Sequence, residues 1–300
     1  HGGDGNTPLY LHTLYTDSIA SPSSDVCPDT AVLTRATPVK DDNMYGSFGV
    51  SAYSYTGSWS ESRTPDYFYN ATASKSGSGD YALASTYYWP GASYKMKFFA
   101  YAPKDNGQYV LSGSTHPGSP TIGVTIPSDV NDQEDLLVAQ TAELAGNTNT
   151  AVALTFNHAL TAVRFVCGND MQDGTVKSVS LKNVYSKGTY NMGTQTWSDV
   201  DTPADFSQTL DKSTTGTPNE ALTTDAQTFM MIPQTLPDGA QIEVVFTDYA
   251  GTDHTLTADI KGTEWPIGKT VTYKISSSSI NWTYELSVNM PGDFTYSGGT

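Results

Sequence analysis

Strict alternation of apolar and polar residues is the feature that most constrains this chain, and it is clearest in the second half. Over residues 241–247, Ile242, Val244 and Phe246 fall on one face. Leu256, Ala258 and Ile260 alternate with Thr255, Thr257 and Asp259, and Val271, Tyr273 and Ile275 alternate with Thr272 and Lys274. A helix repeats its apolar positions every three or four residues, so a period of two rules it out. The pattern belongs to strands with one face in a core and the other in water, as in antiparallel sheets. Between two such runs lies Leu236-Pro237-Asp238-Gly239. Proline presets one turn dihedral and glycine supplies a positive φ, so this is a predicted turn.

The first half repeats the theme less regularly. Residues 48–53, 94–101 and 121–126 read as strands, separated by Ser/Gly loops at 74–79 and 112–114. Short strands with turn signals at this spacing predict β-sandwiches. The 19 tyrosines, together with Val, Thr and Phe, suit pleated, half-buried surfaces. The segment Asp132-Gln133-Glu134-Asp135-Leu136-Leu137-Val138-Ala139 either opens a helix, with acids at its positive end, or enters a strand. The strand is the favoured reading.

The small, polar stretch 145–150 reads as a linker, which divides the chain into an N-terminal sandwich over 1–150 and a second over 151–276. Residues 201–220, with Pro203, Gly216 and Pro218, are expected to form a long surface loop in the second unit. Residues 277–300 begin a further segment with a new strand near 281–288, so the natural protein is expected to continue past Thr300. The start at His1, with no leader, is read as a mature or trimmed form.

Charge and chemistry exclude several functions. Hydrophobic residues make up 37% of the chain and charged residues 15%, with a formal net charge of −16. A polyanion is repelled, so no nucleic acid is expected as a partner. No apolar run reaches the roughly 18 residues of a membrane span. The histidines, His1, His12, His116, His158 and His254, form no ligand spacing, and there is no Gly-x-Ser-x-Gly elbow, phosphate loop or dinucleotide fingerprint. Most aspartates sit in turns such as Asp105-Asn106-Gly107. We therefore expect no catalytic residue, cofactor or metal, and no enzyme. His158 reads as a packed, hydrogen-bonded structural residue, against a catalytic or metal-binding role. Cys27 and Cys167 are either two unlinked thiols or one disulfide; alternation puts Cys167 on the face of Val163 and Phe165. Trp59 and Trp89, among Tyr67-Phe68-Tyr69 and Tyr87-Tyr88, are candidate sugar-stacking rings, or else plain core and rim residues.

Several segments, in order, resemble those of one known family. Phe48-Gly49-Val50-Ser51-Ala52-Tyr53 is similar to the family's early strand. Trp89-Pro90-Gly91 followed by Lys97-Phe98-Phe99-Ala100-Tyr101-Ala102-Pro103 resembles its next region. Asp135-Leu136-Leu137-Val138-Ala139 and Leu154-Thr155-Phe156-Asn157-His158-Ala159-Leu160 match two more. Met231-Ile232-Pro233-Gln234 and Trp265-Pro266-Ile267-Gly268 match its closing segments. Over about residues 30–276 the chain thus resembles the fimbrillin (Mfa-like, FimA-like) pilus proteins of Bacteroidetes. The resemblance implies an all-β fold of two tandem transthyretin-like antiparallel β-sandwich domains. It implies an exported lipoprotein at the outer membrane, anchored by a lipid upstream of this chain, and partners that are other fimbrial subunits joined by β-strand addition. Host or bacterial surface ligands are further partners it allows. The implied exchangeable strand is residues 30–37, with Ala31 and Leu33 on one face; Arg35-Ala36 is either a processing site or part of an uncut strand that stays in the sheet. The extra segment 277–300 departs from a polymerising stalk subunit and favours a tip or accessory subunit. The alternative is a carbohydrate-binding surface lipoprotein that uses its exposed aromatic residues.

Overall fold

The computed structural model describes residues 9, 11–15, 38–39, 44–76, 80–277, 284–289 and 294–298. In chain order the strands are β1 (Leu11–Tyr15), β2 (Ser47–Tyr55), β3 (Phe68–Lys75), β4 (Asp80–Leu83), β5 (Lys95–Ala102), β6 (Tyr109–Leu111) and β7 (Thr121–Thr125). They continue with β8 (Leu137–Gln140), β9 (Leu144–Ala145), β10 (Val152–His158), β11 (Thr161–Cys167), β12 (Gly174–Asn191), β13 (Thr196–Thr214) and β14 (Phe229–Met231). The last are β15 (Gln234–Thr235), β16 (Gln241–Asp248), β17 (Asp253–Asp259), β18 (Glu264–Trp265), β19 (Thr270–Ser277), β20 (Tyr284–Asn289) and β21 (Phe294–Gly298). Helix among the described residues is confined to the 3₁₀ turns Val130–Asp132 and Asp225–Gln227. The fold is all-β, built of mainly antiparallel sheets.

The alternating runs form the strands they predict. In β16, Ile242, Val244 and Phe246 are buried while Gln241 is exposed, and β16 lies between β12 and β17. The predicted turn closes with Ala240 N–H donating to the Pro237 carbonyl at 3.1 Å, and Gly239 takes φ +83°. Segment 132–139 enters a strand, the favoured alternative, and no helix opens within it. A 3₁₀ turn over Val130–Asp132 is capped by the Asp129 carboxylate, which accepts from Asn131 N–H at 2.9 Å, and β8 follows.

Strand order in the first sheet is β2-β3-β4-β1-β10-β8-β5-β9, and β2 also pairs with β5. The path from β2 through β1 to β5 therefore closes on itself, so each strand of the ring is paired on both sides along at least part of its length. A second sheet runs β17-β16-β12-β7-β6, with β13 on the other edge of β12. A third runs β14-β11-β19-β20-β21, and β15 pairs with β18. Segment 277–300 thus supplies β20, as expected, and a further strand β21, which together extend the edge of β19.

Two apolar clusters share a wall. Phe48, Val50 and Ala52 of β2 point into the first, while Tyr53 and Tyr55 point into the second. In β5, Met96, Phe98 and Ala100 join the first cluster, and Phe99 and Tyr101 the second. In β8, Leu137 and Ala139 face the first and Val138 the second. A strand buried on both faces needs no polar side, which is why alternation is weak in the first half.

One expectation is corrected. Residues 201–220 are not mainly a loop: β13 pairs with β12 from Asn191↔Thr196 to Gly174↔Thr214. The stretch is polar because its outer face and outer edge meet water. Pro203 is tolerated there because an edge strand has a side on which no ladder donor is needed. The pairing also crosses residue 150. β10 completes the first sheet, whereas β6 and β7 from the first half complete the second. The chain changes sheets between His158 and Thr161.

Candidate functional site

The feature best placed to act is the short N-terminal strand that completes the closed sheet. β1 runs parallel to β10, from Leu11↔Val152 to Tyr15↔Phe156, and antiparallel to β4 through Leu11↔Tyr81 and His12↔Asp80. On that side, β10 pairs along Val152–Phe156 with β1 alone. Its other neighbour, β8, reaches only Asn157 and His158. Leu11 is 1% exposed and Leu9 is buried beside it, with Leu9 N–H donating to the Tyr87 carbonyl at 2.8 Å. These leucines, two apart and on one face, share a cluster with Phe48, Tyr81, Val152, Leu154 and Phe156. Phe48 packs against Phe156 at 5.1 Å and Tyr81 at 4.9 Å between ring centroids. Burying one leucine is worth about 1.5–3 kcal/mol, so the two anchor the strand in the sheet. The sequence reading passed over these residues. Their signal is only the spacing of Leu9 and Leu11, since Thr13 breaks the apolar phase and Leu14 falls in the other one.

The predicted exchangeable strand 30–37, with Ala31, Leu33, Arg35 and Ala36, lies outside the described residues, as does Cys27. The chain is described again at Pro38 and Val39, where a buried polar lock receives it. Val39 is in the core and its N–H donates to the Asp135 carboxylate at 2.9 Å. The same carboxylate oxygen lies 2.7 Å from His158 Nδ1, with both side chains fully buried. Tyr45 O–H donates to the Asp135 carbonyl at 2.9 Å, and Tyr109 O–H donates to the Glu134 carbonyl. Burial first, and then the charge at Asp135, push both phenols up, which keeps them as O–H donors. His158 is thus hydrogen-bonded in the core. Asp135 and His158 are 23 residues apart in sequence and meet because β8 pairs with β10 at Leu137↔His158. The lock ties the re-entry point of the N-terminal segment to the place where the chain changes sheets.

Neither tryptophan forms an open platform. Trp89 is 1% exposed, so its faces belong to the core and it cannot stack a sugar; that expectation is corrected by burial. Trp59 is half-buried against Tyr53, Tyr55 and Phe99, and the Lys97 ammonium sits 4.7 Å from its ring centroid. Its indole N–H donates to Glu61 at 2.7 Å. Cys167 is a buried thiol 3.1 Å from Thr214 Oγ1, and burial pushes its pKa up. Among the described residues no three His, Cys, Asp or Glu side chains converge as a metal site. No helix among them is long and apolar enough to cross a membrane.

Comparison with known proteins bears on this arrangement. A family model described as fimbrillin-like matches residues 34–290. The fimbrium subunit Fim1C of Phocaeicola vulgatus is 26% identical over an alignment of 222 residues, with coverage of 62% of this chain and 58% of that protein. This chain therefore spans less than two thirds of the length of that relative. A crystal structure of a fimbrial protein from Bacteroides vulgatus ATCC 8482 superposes with TM-score 0.58 at 18% identity, covering 96% of this chain and 99% of that one. A structure described as a candidate cell adhesion protein from Bacteroides uniformis ATCC 8492 gives 0.55 at 17%, covering 97% of each. Both likenesses are likenesses of fold.

Proposed function

We propose, on the premise that this chain belongs to the fimbrillin-like family, that it is a tip or accessory subunit of a cell-surface fimbria and joins its neighbour by strand exchange. The observation that carries this is β1: five residues at the N-terminal side of the chain complete a sheet whose remaining strands all come from residue 47 onward. Removing them opens a slot between β4 and β10 with unpaired backbone on both sides and apolar residues at every second position. A strand of the same pattern from another subunit satisfies both demands. The processing site at Arg35-Ala36 suits this reading. A cut there releases β1 with the segment before it, while Val39 stays tied to Asp135 at the head of the remaining chain. We propose further that the two shared-wall clusters correspond to the tandem transthyretin-like sandwiches of the family, and that export places the protein at the outer membrane through a lipid upstream.

The tip or accessory position is favoured by β20, which pairs with this chain's own β19, and by β21, which pairs with β20. The test is a protein that begins at residue 36. It should melt lower than the full chain, bind a labelled peptide of residues 9–15 and recover stability with it. Sizing should show the peptide complex as a single subunit, whereas ladders without peptide would assign it to the stalk. If the shortened protein melts like the full chain and takes up no peptide, strand exchange through this slot is wrong.

A further inference from the structure

From the loop between β2 and β3 we infer a carbohydrate site, a small polar pocket that takes the vicinal hydroxyls of a neutral sugar; it does not depend on strand exchange. The pocket, about 370 Å³, is lined by Ser60, Ser62, Arg63, Thr64 and Asp66. That is at the lower end of the range for small-molecule sites, enough for one sugar ring rather than a long chain.

The loop is fixed far more firmly than a mere connection requires. Arg63 N–H donates to the Ser60 carbonyl at 3.1 Å, and Gly118 N–H donates to the Arg63 carbonyl at 2.7 Å. Glu61 accepts from Trp59 Nε1 at 2.7 Å and from Ser119 N–H at 2.6 Å, and Glu143 accepts from Trp59 N–H at 2.9 Å. Burial alone would raise the Glu61 carboxyl, but these donors hold it below the usual carboxylate range. A site built on a loop binds well only when its geometry is set beforehand.

Within this frame polar capacity is left unspent. One Arg63 terminal nitrogen, Nη2, donates to the Thr56 and Ser58 carbonyls, both at 3.0 Å, and the guanidinium lies 4.4 Å from the Tyr55 ring centroid. Among the described residues no hydrogen bond uses the two hydrogens of Nη1, and Nε is buried without a partner. Asp66 accepts from Ser54 N–H at 3.2 Å through Oδ1, which leaves Oδ2 open. An arginine donor and a carboxylate acceptor that line one pocket, fringed by hydroxyls, match neighbouring sugar hydroxyls, each of which both gives and accepts. The carboxylate also decides against anions: phosphate, sulfate or sialate facing Arg63 would meet Asp66 and a chain of net charge −16.

The test uses the full chain and saturation-transfer NMR with methyl α-mannoside, methyl β-galactoside and methyl α-fucoside, followed by titration calorimetry with whichever responds. Saturable transfer from at least one is expected. D66N keeps the oxygen that receives Ser54 N–H, so it should melt with the parent yet bind at least tenfold more weakly. R63K should weaken binding to a similar degree. No transfer from any of the three, or binding unchanged in both variants, overturns the site. Preferential binding of a sialylated or sulfated sugar overturns the neutral-diol chemistry.

Discussion

At the scale of single residues, the Asp135–His158 pair is the most consequential polar feature of the fold. Both side chains are fully buried, and Asp135 Oδ1 has no hydrogen-bond partner. Removing one member of such a pair leaves the other stranded, at a cost of about 3–5 kcal/mol. We expect H158A to lose that much in urea unfolding, and D135N with H158N together to lose less than the two single costs summed. Additive losses would show that the residues do not act as a pair. Alternation put His158 on an inward face and so made its structural role legible, but no local signal named a partner 23 residues away. A second residue-scale consequence concerns the tyrosines. Burial raises Tyr53, Tyr55, Tyr81, Tyr101, Tyr190 and Tyr273, with Tyr101 pushed up to about 12. The folded state holds these protons more tightly than the unfolded chain, whose phenols ionise near 10. Their contribution is complete below pH about 10 and is lost as pH climbs through the folded values. The urea midpoint should therefore stay level on this account up to pH about 9 and fall above 10, with phenolate absorbance rising together with unfolding. Phenolate formation well before unfolding would contradict it.

At the scale of elements, β13 explains how so much strand surface remains free of unwanted pairing. It runs beside β12 over its whole length, and apart from a parallel bridge between Ser207 and Asp129 it exposes an outer edge, which is a standing invitation to another chain. The edge carries Asp199, Asp201, Asp205 and Asp211 with Pro203, and the backbone turns to positive φ at Asp199, Thr202 and Asp211. The ladder shifts register between Leu181 and Val184 and again between Lys187 and Thr189. Charge, proline and bulges each blunt an edge, and here they occur together. Replacing Asp199, Asp201 and Asp205 by threonine and Pro203 by valine should leave the monomer folded but shift it to higher-mass species in light scattering at rising concentration. A variant that stays monomeric would mean that the bulges alone protect the edge. The same polarity hid this strand from the sequence reading: with one wet face and one wet edge, β13 lacks the apolar repeat by which strands are recognised. β16, β17 and β19 were legible for the opposite reason. β1 went unread because a five-residue strand carries too few periods to stand out.

At the scale of the whole molecule, the division near residue 150 and the observed pairing make different demands on stability. The linker reading rests on composition at 145–150, a local property, whereas strand pairing is set by partners far apart in the chain. β10 closes the first sheet against β1, and β7 pairs with β12 through Lys187↔Thr125 to Asn191↔Thr121. The wall of β2, β5 and β8 lends side chains to both apolar clusters, so neither cluster keeps its lining if the other melts. Two sandwiches joined only by a linker would unfold independently. Units that share a wall lose it together and should unfold as one. We therefore expect a single calorimetric transition with the van't Hoff enthalpy equal to the calorimetric one. A fragment of residues 151–300 should show little near-ultraviolet circular dichroism, because β12 would lack β7 and the second cluster would lack Tyr53, Tyr55, Phe99 and Tyr101. Two resolved transitions, or a fragment with native-like tertiary signal, would show that the wall is a contact between self-sufficient units. In that event the compositional boundary would describe the molecule better than the ladder does.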